Sequence, residues 1–402
     1  MNISQYKKTY KDLILNTIAI GLPIAILQLF IYPNLARELG NEKYGLLISI
    51  YSIWVLISGP LSNALNSVKL VNNNKYSNEG LKGDYKIISF NWAILISVFV
   101  FVFVWIYIGE FKIINILLGI IAALLIYYET YYECSFRIEI NFLNILICKI
   151  ALVVGYIIGY FLFLKTSYWE LIFICGYGLA FIYNYFKSNF KYEKRIRTKL
   201  YKGTLKECNY IAISNFVNDL STYADKLILY PLMGGDVVTI YYTSMLIGKV
   251  ISLVANSLRD VILSYISKST KNNKEFSTKI FIMIFFLVVV SYLLVIYISR
   301  GVINLLYPQL FFDVEKYLPL ASAISMLDVF GTILYPFTLK YCQAKWQILI
   351  SISSTVTNYV SSLLLWRIYG LTGFYVGAII GQLTRIIMFL YIYYDKSNKL
   401  SY

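Results

Sequence analysis

The chain has 402 residues, of which 59% are hydrophobic and 14% charged. A soluble globule of that composition would lack the polar surface to cover itself, so the sequence describes a polytopic helical membrane protein. Its 36 Lys and Arg outweigh 21 Asp and Glu for a formal charge of +15, and it contains no histidine. The commonest metal ligand and general base is therefore missing, and any proton coupling falls to carboxylates.

Crossing a bilayer takes about 20 mostly apolar residues. That length marks twelve spans in two sets: 13–36, 45–68, 87–109, 112–134, 143–164 and 168–186, then 208–231, 237–265, 279–299, 317–338, 346–367 and 371–394. The first span has no small-residue cleavage site beside it and reads as a retained helix, not a signal peptide. Most Lys and Arg fall in alternate loops and in the tails, which places both termini on the cytoplasmic side. Spread through short loops, these cations also argue against nucleic-acid binding.

The most basic connection, Lys187 to Lys206, divides the chain. Residues 1–186 form one six-span bundle, 187–207 a cytoplasmic linker and 208–402 a second bundle. Six is even, so both halves enter from the same side, as in transporters built from parallel repeats. A weak internal echo supports duplication: Ile211-Ala212-Ile213 repeats Ile18-Ala19-Ile20, and Gly235-Asp236 repeats Gly40-Asn41. Five cysteines (Cys134, Cys148, Cys175, Cys208 and Cys342) lie in or beside apolar runs without paired spacing. They read as packing residues, with no disulfide framework and no metal site.

Two passages carry a family likeness. One is Tyr32-Pro33-Asn34-Leu35-Ala36-Arg37-Glu38-Leu39-Gly40-Asn41-Glu42-Lys43-Tyr44-Gly45. The other is Tyr223-Ala224-Asp225-Lys226-Leu227-Ile228-Leu229, followed by Gly235-Asp236 and Tyr241-Tyr242. The chain resembles the Wzx-type polysaccharide (O-antigen) flippases of the multidrug/oligosaccharidyl-lipid/polysaccharide (MOP) exporter superfamily. It departs from them at Ile240, where a glycine is usual before the tyrosine. The resemblance implies an all-α fold of two pseudo-symmetric six-helix bundles across a V-shaped cavity. It further implies alternating access in the bacterial cytoplasmic membrane, with undecaprenyl-diphosphate-linked oligosaccharide as cargo. The expected partners are that lipid-linked oligosaccharide, membrane lipids, a polysaccharide polymerase and a chain-length regulator. No cofactor is expected beyond a coupling H+ or Na+.

An anionic headgroup crosses hydrocarbon only through a cationic, hydrated cleft. A full charge at mid-depth costs roughly 2.5–3.5 kcal/mol on insertion scales, so charged spans mark a path or a pair. The eighth span aligns Lys249, Ser252, Asn256 and Asp260 on one helix face, and the seventh aligns Asp219, Thr222 and Lys226. The tenth places Ser325, Asp328 and Thr332 at the same spacing; the twelfth adds Gln382 and Arg385, the first Gln28. Lys249 and Arg385 are the expected diphosphate contacts, Lys226 and Arg259 the outer and inner mouths, and Gln28 and Asn256 further cavity contacts. Asp219, Asp225 and Asp328 are candidates for cation coupling. The competing role for every one of these is a helix-holding ion pair such as Asp219 with Lys249.

Glu129, Glu133 and Arg137 sit one turn apart and read as a salt-bridge ladder; Lys149 either pairs with it or meets incoming headgroups. Tyr127, Tyr128, Tyr131 and Tyr132 read as an aromatic belt at the interface. Two alternatives accompany the flippase reading. A cation-coupled multidrug antiporter of the same superfamily would want a mainly acidic cavity, and a membrane polysaccharide polymerase would want a sizeable outer loop or a catalytic cluster.

Overall fold

A computed structural model describes residues 3–108, 113–267, 274–342 and 345–396. Among them every regular element is helical. In order these are α1 (Ile3–Ile26), α2 (Tyr32–Asn78), α3 (Tyr85–Ile108), α4 (Ile113–Ile138), α5 (Phe142–Thr166) and α6 (Glu170–Lys187). There follow α7 (Tyr201–Ser244), α8 (Leu246–Ser267), α9 (Lys274–Leu306), the short α10 (Phe311–Glu315), α11 (Leu318–Tyr341) and α12 (Lys345–Lys396).

Three helices are longer than any bilayer requires, and each is sharply bent at one glycine. Gly40 in α2, Gly234 in α7 and Gly370 in α12 take φ of 73°, 81° and 57°, a region costly for residues with a Cβ. Divided there, the helices reproduce the twelve expected spans in order, each glycine closing one span and opening the next. Counted unbent, seven described helices are long and apolar enough to cross a membrane. The bends also correct the internal repeat by one residue. Gly40 (ψ 169°) shares its backbone conformation with Gly234 (ψ 177°), so Gly234, and not Gly235, is its counterpart.

The entry to α2 shows how sequence sets local geometry. Pro33 has no N–H to donate to the turn before it. The chain widens to a π turn over Leu27–Ile31, where the Tyr32 N–H donates to the Leu27 carbonyl. The Asn34 side-chain amide then donates to the Phe30 carbonyl at 2.7 Å, supplying a local donor.

The chain forms two compact units, residues 1–238 and 239–402. In the first, α4 packs against α2, α3 and α6, while α5 lies along α6 and α1. Trp54 of α2 stacks on Trp169 with centroids 5.3 Å apart and meets Phe173 edge-on. The expected aromatic belt on α4 is instead largely core: Tyr127, Tyr131 and Tyr132 are buried among the helices. Tyr127 donates to the Ser89 carbonyl and Tyr131 to Glu193.

In the second unit α11 is central, packing on α8, α9 and α12. Its core gathers Phe281, Phe330, Phe337, Phe389 and Tyr393. The far side of α9 leaves Phe285, Phe286, Leu293 and Leu294 at least half exposed, an apolar face suited to acyl chains.

The connection expected as a linker, 187–207, is bound to the first unit. The Asp84 N–H donates to the Ile196 carbonyl and the Lys194 N–H to that of Lys82. Buried Asp84 accepts from the Thr198 N–H at 2.6 Å, from the Thr198 hydroxyl and from Tyr76. Glu193, the one acid between Lys187 and Lys206, pairs with buried Lys69, whose ammonium lies 3.0 Å from the Phe190 ring centroid. A buried ammonium needs such a counter-charge, and the aromatic face adds to its attraction.

Candidate functional site

The second unit collects most of the charged residues expected to matter. On α8 one residue advances about 100° around the helix. Exposed Val250, Val254 and Leu258 therefore form one stripe, and Lys249, Ser252, Asn256 and Arg259 occupy roughly the opposite face. The apolar stripe suits lipid and the polar one protein or water. The Asp260 side chain lies outside the described residues.

Asp328 on α11 anchors the cluster. Its Oδ1 accepts from Arg385 Nη1 at 2.8 Å and its Oδ2 from the Ser252 hydroxyl at 3.1 Å, tying α8, α11 and α12 together. Gly331, one turn beyond Asp328, lies against the guanidinium: a Cβ there would meet Arg385 Cζ at 3.4 Å, an ordinary van der Waals contact. The Arg385 and Asp328 side chains keep 24% and 30% exposure, so the pair stays within reach of a ligand. The planar guanidinium has further N–H donors turned to neither Asp328 oxygen.

Lys249 places its ammonium 3.4 Å from the Tyr242 ring centroid. Arg259 donates to Asn256 Oδ1 at 3.0 Å and lies 5.8 Å from the Tyr335 ring centroid. Lys249, Arg259 and Arg385 give this cluster three cations against the acids Asp328 and Asp260, so its formal balance is cationic. Ser252 marks the α8 face that meets Asp328 and Arg385, and Lys249, Asn256 and Arg259 lie on that face. The cluster can hold an anion or transmit a shift of α12 to α8.

Gln28, Asp219, Asp225 and Lys226 stand in the first unit. Lys226 is buried, and its ammonium is taken up by Asp225 at 2.7 Å and the Thr222 carbonyl at 2.9 Å. Asp219 is half-buried beside the Gly59-Pro60 step of α2, its Oδ2 3.6 Å from the position of a Gly59 Cβ. Gln28 is half-buried within the π turn.

The ladder on α4 is completed from α5. Lys149 binds Glu129 at 2.8 Å and Glu133 at 2.6 Å, and Arg137 binds Glu133 at 2.7 Å. The Cys148 thiol points at Glu129 and the Asn184 amide at the Glu129 carbonyl. Lys149 is thus committed to its carboxylates, the first of the two roles open to it.

Some functional side chains escaped the sequence reading. Glu42 accepts from the Gly235 and Asp236 N–H groups, both at 3.1 Å, capping the helix that restarts after Gly234. Gly45 touches Gly235 there, where a Cβ would overlap the Gly235 carbonyl. Lys69, Asp84 and Glu193 were likewise hidden; the only signal was one acid inside a basic run. Among the described residues no group of three Cys, Asp or Glu side chains is placed to hold a metal ion.

Twelve helical segments, bends at the two repeat turns and a charged cluster inside the second unit define a polytopic all-helical membrane fold, and solved transporter structures share it. A multidrug resistance MATE family transporter of the MOP superfamily, inward-facing, superposes with a TM-score of 0.71 at 14% identity, covering 96% of this chain and 100% of its own. The lipid II flippase MurJ, inward closed, gives 0.67 at 18% identity, covering 96% and 91%. An outward-facing MATE family transporter gives 0.59 at 14%, covering 95% and 94%. The sequence matches no protein-family model and no curated protein.

Proposed function

We propose that this protein is a flippase carrying undecaprenyl-diphosphate-linked oligosaccharide units from the cytoplasmic to the outer leaflet, by alternating access, for O-antigen, capsule or exopolysaccharide synthesis. The observation that carries this reading is the cationic balance of the α8–α11–α12 cluster, opposite the lipid-suited stripe of α8. A diphosphate needs several charge-assisted donors, and Arg385 and Lys249 provide them beside exposed Asn256, whose amide suits sugar hydroxyls. Likeness in fold to a lipid II flippase supports a lipid-linked cargo.

In this reading Arg259 and Lys226 serve the mouths of the path, Gln28 contributes a polar contact, and Asp219, Asp225 or Asp328 couples transport to H+ or Na+. The twin bundles are 1–186 and 208–402, joined by 187–207, with both termini in the cytoplasm of the bacterial inner membrane. A polysaccharide polymerase and a chain-length regulator take over the product.

The test is reconstitution. Liposomes containing the protein should expose a lipid-diphosphate oligosaccharide to an enzyme outside, and a deletion strain should accumulate single repeat units on the inner face. A second reading, cation-coupled multidrug antiport, draws on the likeness to MATE transporters. Cation-driven dye uptake without lipid-diphosphate translocation would establish it in place of the first.

A further inference from the structure

A cavity of about 220 Å³ opens in the first unit between α3 and α6, floored by α4, at the end that carries the basic connection. Its walls are aromatic: Phe90 from α3, Tyr128 and Tyr132 from α4, Phe181 from α6. Two cations stand at its rim, Lys86 and exposed Arg195. The Arg195 guanidinium lies 3.9 Å from the Phe90 ring centroid, and Lys86 donates to the Glu193 carbonyl at 3.2 Å. Neither is paired with a carboxylate among the described residues. The nearby acid, Glu193, is already engaged by Lys69 and Tyr131.

Ser89 borders the same cavity and is 2% exposed, its hydroxyl beside the phenols of Tyr127 and Tyr128. Beyond the aromatic walls lie apolar side chains, with Ile94 on α3 and Ile182 on α6 about half exposed. A charged, hydroxyl-lined head on an apolar groove matches a molecule with an anionic phosphodiester and acyl chains.

We infer that this cavity is a binding site for an anionic glycerophospholipid of the leaflet on the basic side, distinct from the α8–α11–α12 cluster. The phosphodiester sits between Lys86 and Arg195, and the chains run along α3 and α6. Two charge-assisted bonds in a partly desolvated site fix the headgroup, and the aromatic walls exclude water from them. The site stands whether or not the proposed cargo is correct, since it lies within the first unit.

The experiment uses the purified full-length protein, delipidated in mild detergent, with binding followed by native mass spectrometry. The probes are dihexanoyl-phosphatidylglycerol, dihexanoyl-phosphatidylcholine and inorganic phosphate. Phosphatidylglycerol should bind about tenfold more tightly than phosphatidylcholine, and Lys86→Ala/Arg195→Ala should weaken it by about tenfold or more. Lys187→Ala/Lys202→Ala removes two exposed cations from the same end and should change nothing. Arg195→Glu, at an exposed position that does not threaten folding, should abolish the preference for the anionic lipid. Equal binding of both lipids, equal loss in the Lys187/Lys202 control, or full retention by Arg195→Glu would overturn the assignment. Displacement of the lipid by equimolar inorganic phosphate would also overturn it, by making the site one for a soluble anion.

Discussion

Replacing Lys149 with methionine isolates what the buried α4–α5 charge cluster contributes. The Glu129 and Glu133 side chains are 2% and 5% exposed, and Lys149 bridges them. Without it Glu133 keeps Arg137, but among the described residues the Glu129 carboxylate keeps the Cys148 thiol and the Thr130 hydroxyl at 3.3 Å, both neutral donors. Removing one partner of a buried pair costs about 3–5 kcal/mol. At about 1.4 kcal/mol per factor of ten, that lowers the folded-to-unfolded ratio by about two to four decades. The assay is denaturation of the full-length protein in detergent, read by the reactivity of buried Cys134 and Cys208 toward a thiol-reactive dye. Glu129→Gln in the Lys149→Met background should recover part of the loss, with a coupling of about 0.5–3 kcal/mol. A Lys149→Met variant within about 0.5 kcal/mol of the parent, or strictly additive variants, would refute the account of a single charge unit.

Asp84→Asn can keep Oδ1 for the Thr198 N–H but puts an NH2 donor where Oδ2 accepts from the Thr198 and Tyr76 hydroxyls, and should cost about 1–3 kcal/mol. It should speed protease cleavage within 188–200 while leaving helix content unchanged; an unchanged cleavage rate would contradict the docking of that segment. Gly45→Ala and Gly235→Ala each force a Cβ into backbone, Gly235 in the first case and Glu42 in the second, and should lower the melting temperature by the equivalent of about 1–3 kcal/mol. Arg385→Ala and Lys249→Ala should reduce polymer display at native expression, whereas Arg385→Lys and Lys249→Arg keep part of it. Undiminished display by both alanine variants would separate these residues from the cargo.

The spans were legible because each of them must satisfy the same length and apolarity, and they recur in order. The bends were legible only as turns. Nothing in Gly40, Gly234 or Gly370 tells which neighbour carries a positive φ, hence the one-residue slip at Gly235. The Glu129, Glu133 and Arg137 ladder was local and readable from helical spacing, whereas its link to Lys149 depends on how α5 lies on α4. Arg385 and Asp328 are 57 positions apart, and their pairing reflects the packing of α11 on α12. The polar stripe of α8 could be read from periodicity, but its partner could not. Tyr127 and Tyr131 misled because a membrane helix can bury a tyrosine when its hydroxyl finds an acceptor, here Ser89 and Glu193.

Asp84 and Glu193 fasten the stretch around 194–198 from both sides, with consequences for cutting the gene in two. A break between Lys194 and Thr198 would leave Glu193 with the upstream fragment and Thr198 with the downstream one. Tyr107 still meets Leu227 and Tyr230, and Glu42 still caps the turn after Gly234. The two polypeptides, made separately in one cell, would recognise each other through surfaces they already share and reassemble without a covalent bond.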